Sequence, residues 1–592
     1  MISKLCVKCR ADLFTKEPSR CPVDLHSGYV PNERDIARMK SFIQDANADI
    51  SELDSMLALL TERRETLVRQ VNDCKRVISA NALRNFPPEV LIEVFRLCTP
   101  SLDLFYSTHD AFSATLLAIS QTCAFWRNVS LSTPELWTNI FIDITSCPDG
   151  PNYHSLLKLY LSRSSSTPLT LQITARVTQY NLPFSLADRG EFSAQQRSML
   201  EYLPSQFHLC AHLSLDLHSL VQRDIILPSN FHILQSLAIK TTGFNGWNPP
   251  DVDVLDYLTN VPNLRSLETI VYTDRGPLIY PFINNLTTIT LHFLSRASYV
   301  RSLLEKCPHL RHANIELRGL ETDEDINSES AAIQVHHALR TFKINVTNRA
   351  YHLPNPLHWV LCAVSLPNLT ELEITDKTVA GGKGLCTALT VFLLNSPLLR
   401  EFGLNATCFE WDRELIEILR LSPTLARLRL EIEDKHPALT KQFFHDLSFQ
   451  NEDEDDGDCH DSPPVLPCLE HFSLDFIVYV ETGWGSSGYL PPNAENILAM
   501  VESRVRRQPS AVHRGQLRSF RLSALLNTLD GFRWAEKAIP LFKAGLQSLK
   551  LDEGLEFDVR FHNHLVKYRD VVVISSSAEK LESQYRIRSQ AY

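Results

Sequence analysis

The stretch Pro367-Asn-Leu-Thr-Glu-Leu-Glu-Ile374 decides how most of this chain is read. Proline cannot continue a helix, so a helix arriving from the N-terminal side stops before it. After Leu369, apolar Leu372 and Ile374 alternate with Glu371 and Glu373, the period of a short strand with one buried face. The loose pattern Leu-x-x-(Leu/Phe/Ile)-x-(Leu/Ile) recurs from Leu234, Leu264, Leu286, Leu310, Leu339, Leu369, Leu399, Leu425, Leu469, Leu517 and Leu546. The starts lie mostly 22 to 30 residues apart, with gaps of 44 and 48 around an acidic segment. Pro262, Pro308, Pro367, Pro397, Pro423 and Pro467 each stand two places before a leading leucine. Helix-like apolar runs, at 252–261, 299–307, 389–396 and 414–422, precede several of them. Each unit therefore reads as helix, proline stop, strand. The fourth and sixth positions point into the core and the first leucine packs at the turn. One unit cannot bury both faces, whereas stacked neighbours can. The runs from Leu169 and His212 read as earlier, degenerate units, and Ala313 weakens one unit.

Upstream, residues 35–80 carry a different period. Ile36, Ile43, Ile50, Leu57, Arg64, Val71 and Ile78 occupy position a of a heptad; Met39, Ala46, Leu53, Leu60, Leu67 and Cys74 occupy position d. No Gly or Pro interrupts the run, which predicts one long helix with a coiled-coil seam. Phe42, Met56, Val68 and Val77 widen the apolar stripe. Homodimerisation and docking on the chain's own surface both fit this pattern.

Between these regions lies Ala82-Leu-Arg-Asn-Phe-Pro-Pro-Glu-Val-Leu-Ile-Glu-Val-Phe-Arg-Leu-Cys98. The long helix must break before Pro87-Pro88, and proline suits the first turn of the next helix. Glu89 then sits near the positive end of the helix dipole. Val90, Leu91, Val94 and Phe95 recur at helical spacing. Ile119, Cys123 and Trp126 are expected on one face of a further helix, and Pro134 starts another turn ahead of Leu136 and Trp137. Residues 83–142 thus read as a small bundle of short helices.

These residues resemble an F-box in the form common in large fungal (agaric-type) families. The matching positions are Phe86, Pro87, Pro88, Glu89, Val90, Leu91, Val94, Phe95, Ile119, Cys123, Trp126, Arg127, Pro134, Leu136 and Trp137. Phe86 stands where the pattern often has Leu, and the insertion 107–114 is longer than in the shortest members. The resemblance implies binding to a Skp-type adaptor within a cullin complex. The implied adaptor-binding set is Phe86, Pro87, Pro88, Glu89, Val90, Leu91, Val94, Phe95, Trp126, Pro134 and Trp137. Within it, Pro87, Leu91 and Phe95 are candidate anchors for a groove on the partner, whereas Trp126 reads rather as bundle core. The downstream repeat resembles the irregular leucine-rich repeats found beside F-boxes, although the Asn or Cys expected after each strand is mostly absent.

The expected fold class is α/β: a long N-terminal helix and a small helical F-box bundle, followed by an irregular leucine-rich-repeat solenoid. The expected segments are a Cys-containing stretch at 1–34, a coiled-coil helix at 35–80, an F-box at 81–145 and repeats over 146–592, with an acidic loop near 451–461. Cys6 and Cys9 have metal-ligand spacing, Cys21 is a candidate third ligand, and His26 or Asp24 a candidate fourth. A structural zinc at Cys6, Cys9, Cys21 and His26 stands against unliganded thiols; no other cofactor is expected.

The chain has 592 residues, so several domains or a repeat array are expected. Its formal charge of −11, from 58 basic and 69 acidic residues, argues against nucleic acid as the main partner. Arg504, Arg506 and Arg507 read as solvated surface. No apolar run reaches the roughly 18 residues of a membrane span, and no secretory signal is expected. Fourteen scattered Cys fit free thiols in a reducing compartment, cytoplasmic or nuclear. No catalytic motif emerges. The expected function is a non-catalytic substrate receptor of a Skp–cullin–F-box ubiquitin ligase, its repeats holding an unknown target protein for ubiquitin-dependent degradation. The alternative is a protein-binding scaffold, outside any ligase, that dimerises through 35–80.

Overall fold

The computed structural model describes residues 30–84, 86–98, 115–144, 153–175, 194–218, 227–228, 230–242, 255, 258–270, 280–294, 298–318, 333–347, 356–376, 385–406, 412–432, 439–449, 464–478, 492–506, 516–526, 529–563 and 569–575. Cys6, Cys9, Cys21 and His26, the insertion 107–114 and the acidic segment 451–461 lie outside the described residues. Contacts divide the chain into two units, Met1–Leu97 with Ile119–Val129, and Cys98–Ala118 with Ser130–Tyr592.

In the first unit, α1 (Glu33–Arg84) is a single helix of 52 residues. Asn32 caps it: its Oδ1 accepts the Asp35 N–H at 2.9 Å and its carbonyl accepts the Ile36 N–H at 3.0 Å. The helix ends ahead of the double proline, and α2 (Pro88–Cys98) begins on Pro88. The expected helix through Ile119, Cys123 and Trp126 is in fact two, α3 (Thr115–Thr122) and α4 (Ala124–Leu131), broken at Cys123. The Cys123 Sγ accepts the Trp126 N–H at 3.5 Å, serving a donor freed at the new helix start. A tight turn, Pro134–Trp137, follows. The run of short helices stops there. Asn139–Asp143, expected as the tail of a helical bundle, is a strand, because Ile140 and Ile142 alternate into a core.

That strand opens a sheet whose fifteen members, among the described residues, follow chain order. They are β1 (Asn139–Asp143), β2 (Leu169–Ala175), β3 (Cys210–His218), β4 (Ser236–Thr242), β5 (Ser266–Ile270), β6 (Thr288–Leu294), β7 (His312–Arg318), β9 (Thr341–Thr347), β11 (Glu371–Asp376), β12 (Glu401–Ala406), β13 (Arg427–Ile432), β14 (His471–Val478), β15 (Ser519–Leu526), β16 (Glu556–Asn563) and β17 (Arg569–Ser575). All neighbours pair parallel except β16 and β17, which pair antiparallel. A separate parallel pair joins β8 (Gln334–Val335) to β10 (Val364–Ser365). Helices α5 (Tyr153–Ser164), α6 (Ala194–Tyr202), α7 (Ser298–Lys306), α8 (Pro356–Ala363), α9 (Leu385–Leu394), α10 (Asp412–Arg420), α11 (Lys441–Leu447), α12 (Ala494–Val505) and α13 (Leu529–Glu553) connect the strands, and from α7 onward each touches the next. The second unit is thus a parallel-strand, leucine-rich-repeat-like solenoid.

The proline stop has a definite geometry. The N–H of the leading leucine returns to the residue before the proline, as in Leu369 to the Leu366 carbonyl at 3.0 Å and Leu425 to Ser422 at 3.1 Å. Proline stands at the second position of this turn, where its fixed φ is preorganised. The leading leucines Leu264, Leu310, Leu369, Leu399, Leu425 and Leu469 are fully buried. The next residue's carbonyl then receives two N–H groups from the following unit: Arg340 accepts from Thr370 at 2.8 Å and from Glu371 at 3.0 Å. Stacking therefore satisfies the backbone that a lone unit would leave bare.

Ten of the eleven repeat matches lead into strands; Leu546–Leu551 does not. It lies inside α13, and Leu551, which a strand would bury, is 84% exposed. Ala535, Ala538, Phe542, Leu546 and Leu549 are all buried, three or four residues apart, so helical periodicity prevails there. Gly554, with φ +74°, closes the helix, and β16 follows directly.

Arg504 also departs from the expected solvated surface, being 2% exposed. Its Nε donates to the Leu447 carbonyl at 2.5 Å, Nη2 to Val465 at 2.5 Å and Nη1 to Leu466 at 2.9 Å. Its guanidinium also lies 4.5 Å from the Phe449 ring centre. Leu466 holds a positive φ of 51°, and the arginine ties down that strained turn.

Candidate functional site

Two surfaces present organised side chains. The first is α2. The Pro87 carbonyl accepts the N–H groups of Val90 at 3.0 Å and Leu91 at 3.2 Å, setting the first turn, and Glu89 lies at its positive end. Leu91 and Phe95 turn inward and are buried. Phe95 meets the half-buried Trp126 edge-to-face at 5.2 Å, and the Arg127 Nε bonds the Ser120 carbonyl at 3.1 Å. This locks α2, α3 and α4 together. Opposite them, Phe86, Pro87, Pro88, Glu89, Val90 and Val94 are exposed, and Leu97 is 86% exposed. Val90, Val94 and Leu97 fall at i, i+4 and i+7, a continuous apolar row on one face.

The expected adaptor set therefore divides. Phe86, Pro87, Pro88, Glu89, Val90 and Val94 are on the surface. Leu91 and Phe95, taken as anchors for a partner, are core side chains of this chain. Trp137 is fully buried; its Nε1 donates to the Ser130 carbonyl at 2.8 Å. Its ring meets Tyr160 edge-on at 4.9 Å and lies under the Arg163 guanidinium at 4.4 Å. Burial beside it pushes the Tyr160 hydroxyl up to about 12. Pro134 is half-buried. Leu97 was missed by the sequence reading, although its spacing from Val90 and Val94 marks it as their neighbour.

The second surface is the sheet face opposite the helices, where the non-core residues of each strand form cross-strand ladders. The His292 Nδ1 lies 3.0 Å from Glu316 on β7, and its Nε2 lies 3.2 Å from Glu268 on β5. The Glu268 and Glu316 bonds push the histidine up to about 9, so it is a cation at neutral pH. Glu268 also meets Lys240 at 3.0 Å; although burial opposes ionisation, the two cations hold its carboxyl below the usual value. Farther along, Lys343 bridges Glu371 and Glu373 at 2.8 Å each. Arg427 meets Glu401 at 2.5 Å, and Arg429 approaches Asp475 at 3.5 Å. Gly403 leaves a gap in this ladder: a Cβ there would stand 3.2 Å from the Glu373 Cγ.

Among the described residues no group of three His, Cys, Asp or Glu is placed to hold a metal, and no helix is long and apolar enough to cross a membrane. His336 is structural: its Nε2 lies 2.9 Å from the Cys307 carbonyl and its Nδ1 accepts the Leu339 N–H at 3.2 Å.

Residues 83–143 match the F-box-like family model. The match spans α2, α3, α4, the Pro134 turn and β1, so it includes the exposed row of α2. No curated protein matches the chain. Among solved structures, an internalin from Listeria monocytogenes is similar, with 12% identity over 79% of this chain and 92% of that one and a TM-score of 0.24. The parallel solenoid is defined by its own strand pairing.

Proposed function

We propose that the chain is the substrate-receptor subunit of a Skp–cullin–F-box ubiquitin ligase. The observation that carries this reading is the F-box-like match at 83–143, together with the apolar row it leaves exposed on α2. Val90, Val94 and Leu97 lie in a groove of a Skp-type adaptor as one face of α2, with Phe86 and Pro87 beside them just ahead of the helix. Leu91 and Phe95 hold that face rigid from behind. The open face of the sheet, with its ladders of charge, receives the target protein. The chain performs no chemistry itself. It brings the target close to the transferring enzyme, which raises effective concentration. The reading places the chain in the cytoplasm or nucleus.

Binding of the full chain to a purified Skp-type adaptor tests this reading by calorimetry. Val90→Asp/Val94→Asp should weaken binding about 100-fold or more, since buried interface anchors dominate affinity. Both side chains are exposed in the free chain, so its circular dichroism should not change. A well-folded parent that fails to bind the adaptor would overturn the proposal.

A further inference from the structure

We infer that α1 pairs antiparallel with α1 of a second copy of this chain. The inference does not depend on adaptor binding. Over the 52 residues of α1, the heptad side chains Ile43, Ile50, Leu53, Leu57, Leu60 and Leu67 are between 47% and 61% exposed. They form one stripe along a rod about 78 Å long. A single solvated helix gains nothing from that stripe. Two copies closing on it remove on the order of 1,000 Å² of apolar surface, the scale at which an interface becomes specific.

The charges choose the direction. In a parallel pair, each a residue meets its own copy, so Arg64 faces Arg64 with Arg63 of both chains beside it. Four guanidinium groups then share one level, and Asp49 of one helix faces Asp54 of the other. Like charges so placed are destabilising. In the antiparallel pair with full overlap, the two-fold axis passes between Ala58 and Leu59, and a residues meet d residues. Leu57 lies opposite Leu60 of the second copy, and Ile50 opposite Leu67. Arg64 lies opposite Leu53, and with Arg63 it flanks Asp49 of the second copy, an attractive grouping that the axis repeats. The heptad register stays in phase across this midpoint, so no seam residue is displaced from its layer. The remaining like-charged flank, Lys40 beside Lys75 of the second copy, is exposed and screened by salt.

That lysine pair also supplies the test. Within one helix Lys40 and Lys75 are about 52 Å apart, beyond a short amine-reactive cross-linker. An equal mixture of ¹⁴N- and ¹⁵N-labelled full-length chain would be cross-linked and digested, with light scattering on the same sample. The expected result is a dimer mass and an isotopically mixed Lys40–Lys75 link. Leu57→Asp/Leu60→Asp should weaken dimerisation roughly 100-fold by placing four carboxylates in the central layers, with helicity retained because both positions are exposed in the single chain. A monomeric parent, Lys40–Lys40 links in place of Lys40–Lys75, or a dimer indifferent to the variant would each overturn the inference.

Discussion

Replacing Trp137 with alanine separates a core role from a contact role in the F-box-like domain. The side chain is fully buried between Tyr160 and Arg163, and its N–H is bonded to Ser130. Truncating a buried tryptophan costs about 3–5 kcal/mol from lost transfer energy and the cavity left behind. The bond to the Ser130 carbonyl is lost as well, adding about 1 kcal/mol. The expected loss is therefore about 5 kcal/mol, felt locally because repeat arrays couple mainly to neighbours. Hydrogen exchange followed by mass spectrometry should show strongly accelerated exchange over α5, β1 and the Pro134 turn, with the distant strands β13 to β16 unchanged. Trp137→Phe keeps an aromatic ring beside Tyr160 but loses the N–H bond and part of the ring volume, so a loss of about 2–3 kcal/mol, smaller than that of alanine, is expected. Adaptor binding by Trp137→Ala should fall only as far as the domain opens. Unchanged exchange with abolished adaptor binding would refute the reasoning, because Trp137 would then be a partner contact.

Arg504→Ala should destabilise α11 and α12 by about 3–5 kcal/mol, since it strips three buried carbonyls of a charged donor; Arg504→Lys should recover only part of this, as read from urea midpoints. His292 gives a pH dependence. Its folded pKa, about 9, lies above the unfolded value of 6.5, so its stabilisation is full below pH 6.5 and lost as pH rises through 9. His292→Gln should flatten the stability profile across that window, measured as melting temperature against pH. Gly554→Ala meets no atom within 4 Å, so its cost is the backbone strain at φ +74° alone, about 1 kcal/mol, seen as a small fall in melting temperature.

Much of the local structure was legible because it is written at short range. The break at Pro87-Pro88 follows from the geometry of proline, and the long helix from uninterrupted heptads. Ten repeat strands follow from a leucine, a two-residue alternation and, in six units, a proline turn. The eleventh, Leu546–Leu551, shows the limit of such reading. Its residues satisfy strand and helix periods together, and the apolar positions upstream at Ala535, Ala538 and Phe542 settle it as helix. Residues 81–145 divide likewise: the helices and the Pro134 turn were readable, while Asn139–Asp143 became a strand because a parallel neighbour, β2, lies beside it.

What the sequence determined alone is the long helix, the break at Pro87-Pro88 and the chain order of ten repeat strands, since propensity, proline geometry and periodicity act within a few residues. What only the tertiary structure decided is how α2 is rotated and where single charged side chains lie. Val90 and Leu91 are equally apolar neighbours, yet one is exposed and the other is core, because Trp126 packs behind Phe95 and fixes how α2 is rotated. Arg504 looks like a surface cation until the carbonyls of Leu447, Val465 and Leu466 converge on it from segments far apart in the chain. His292 acquires its charge only when two other strands bring Glu268 and Glu316 to its two ring nitrogens. Burial and electrostatics depend on distance in space, and a linear sequence does not state that distance.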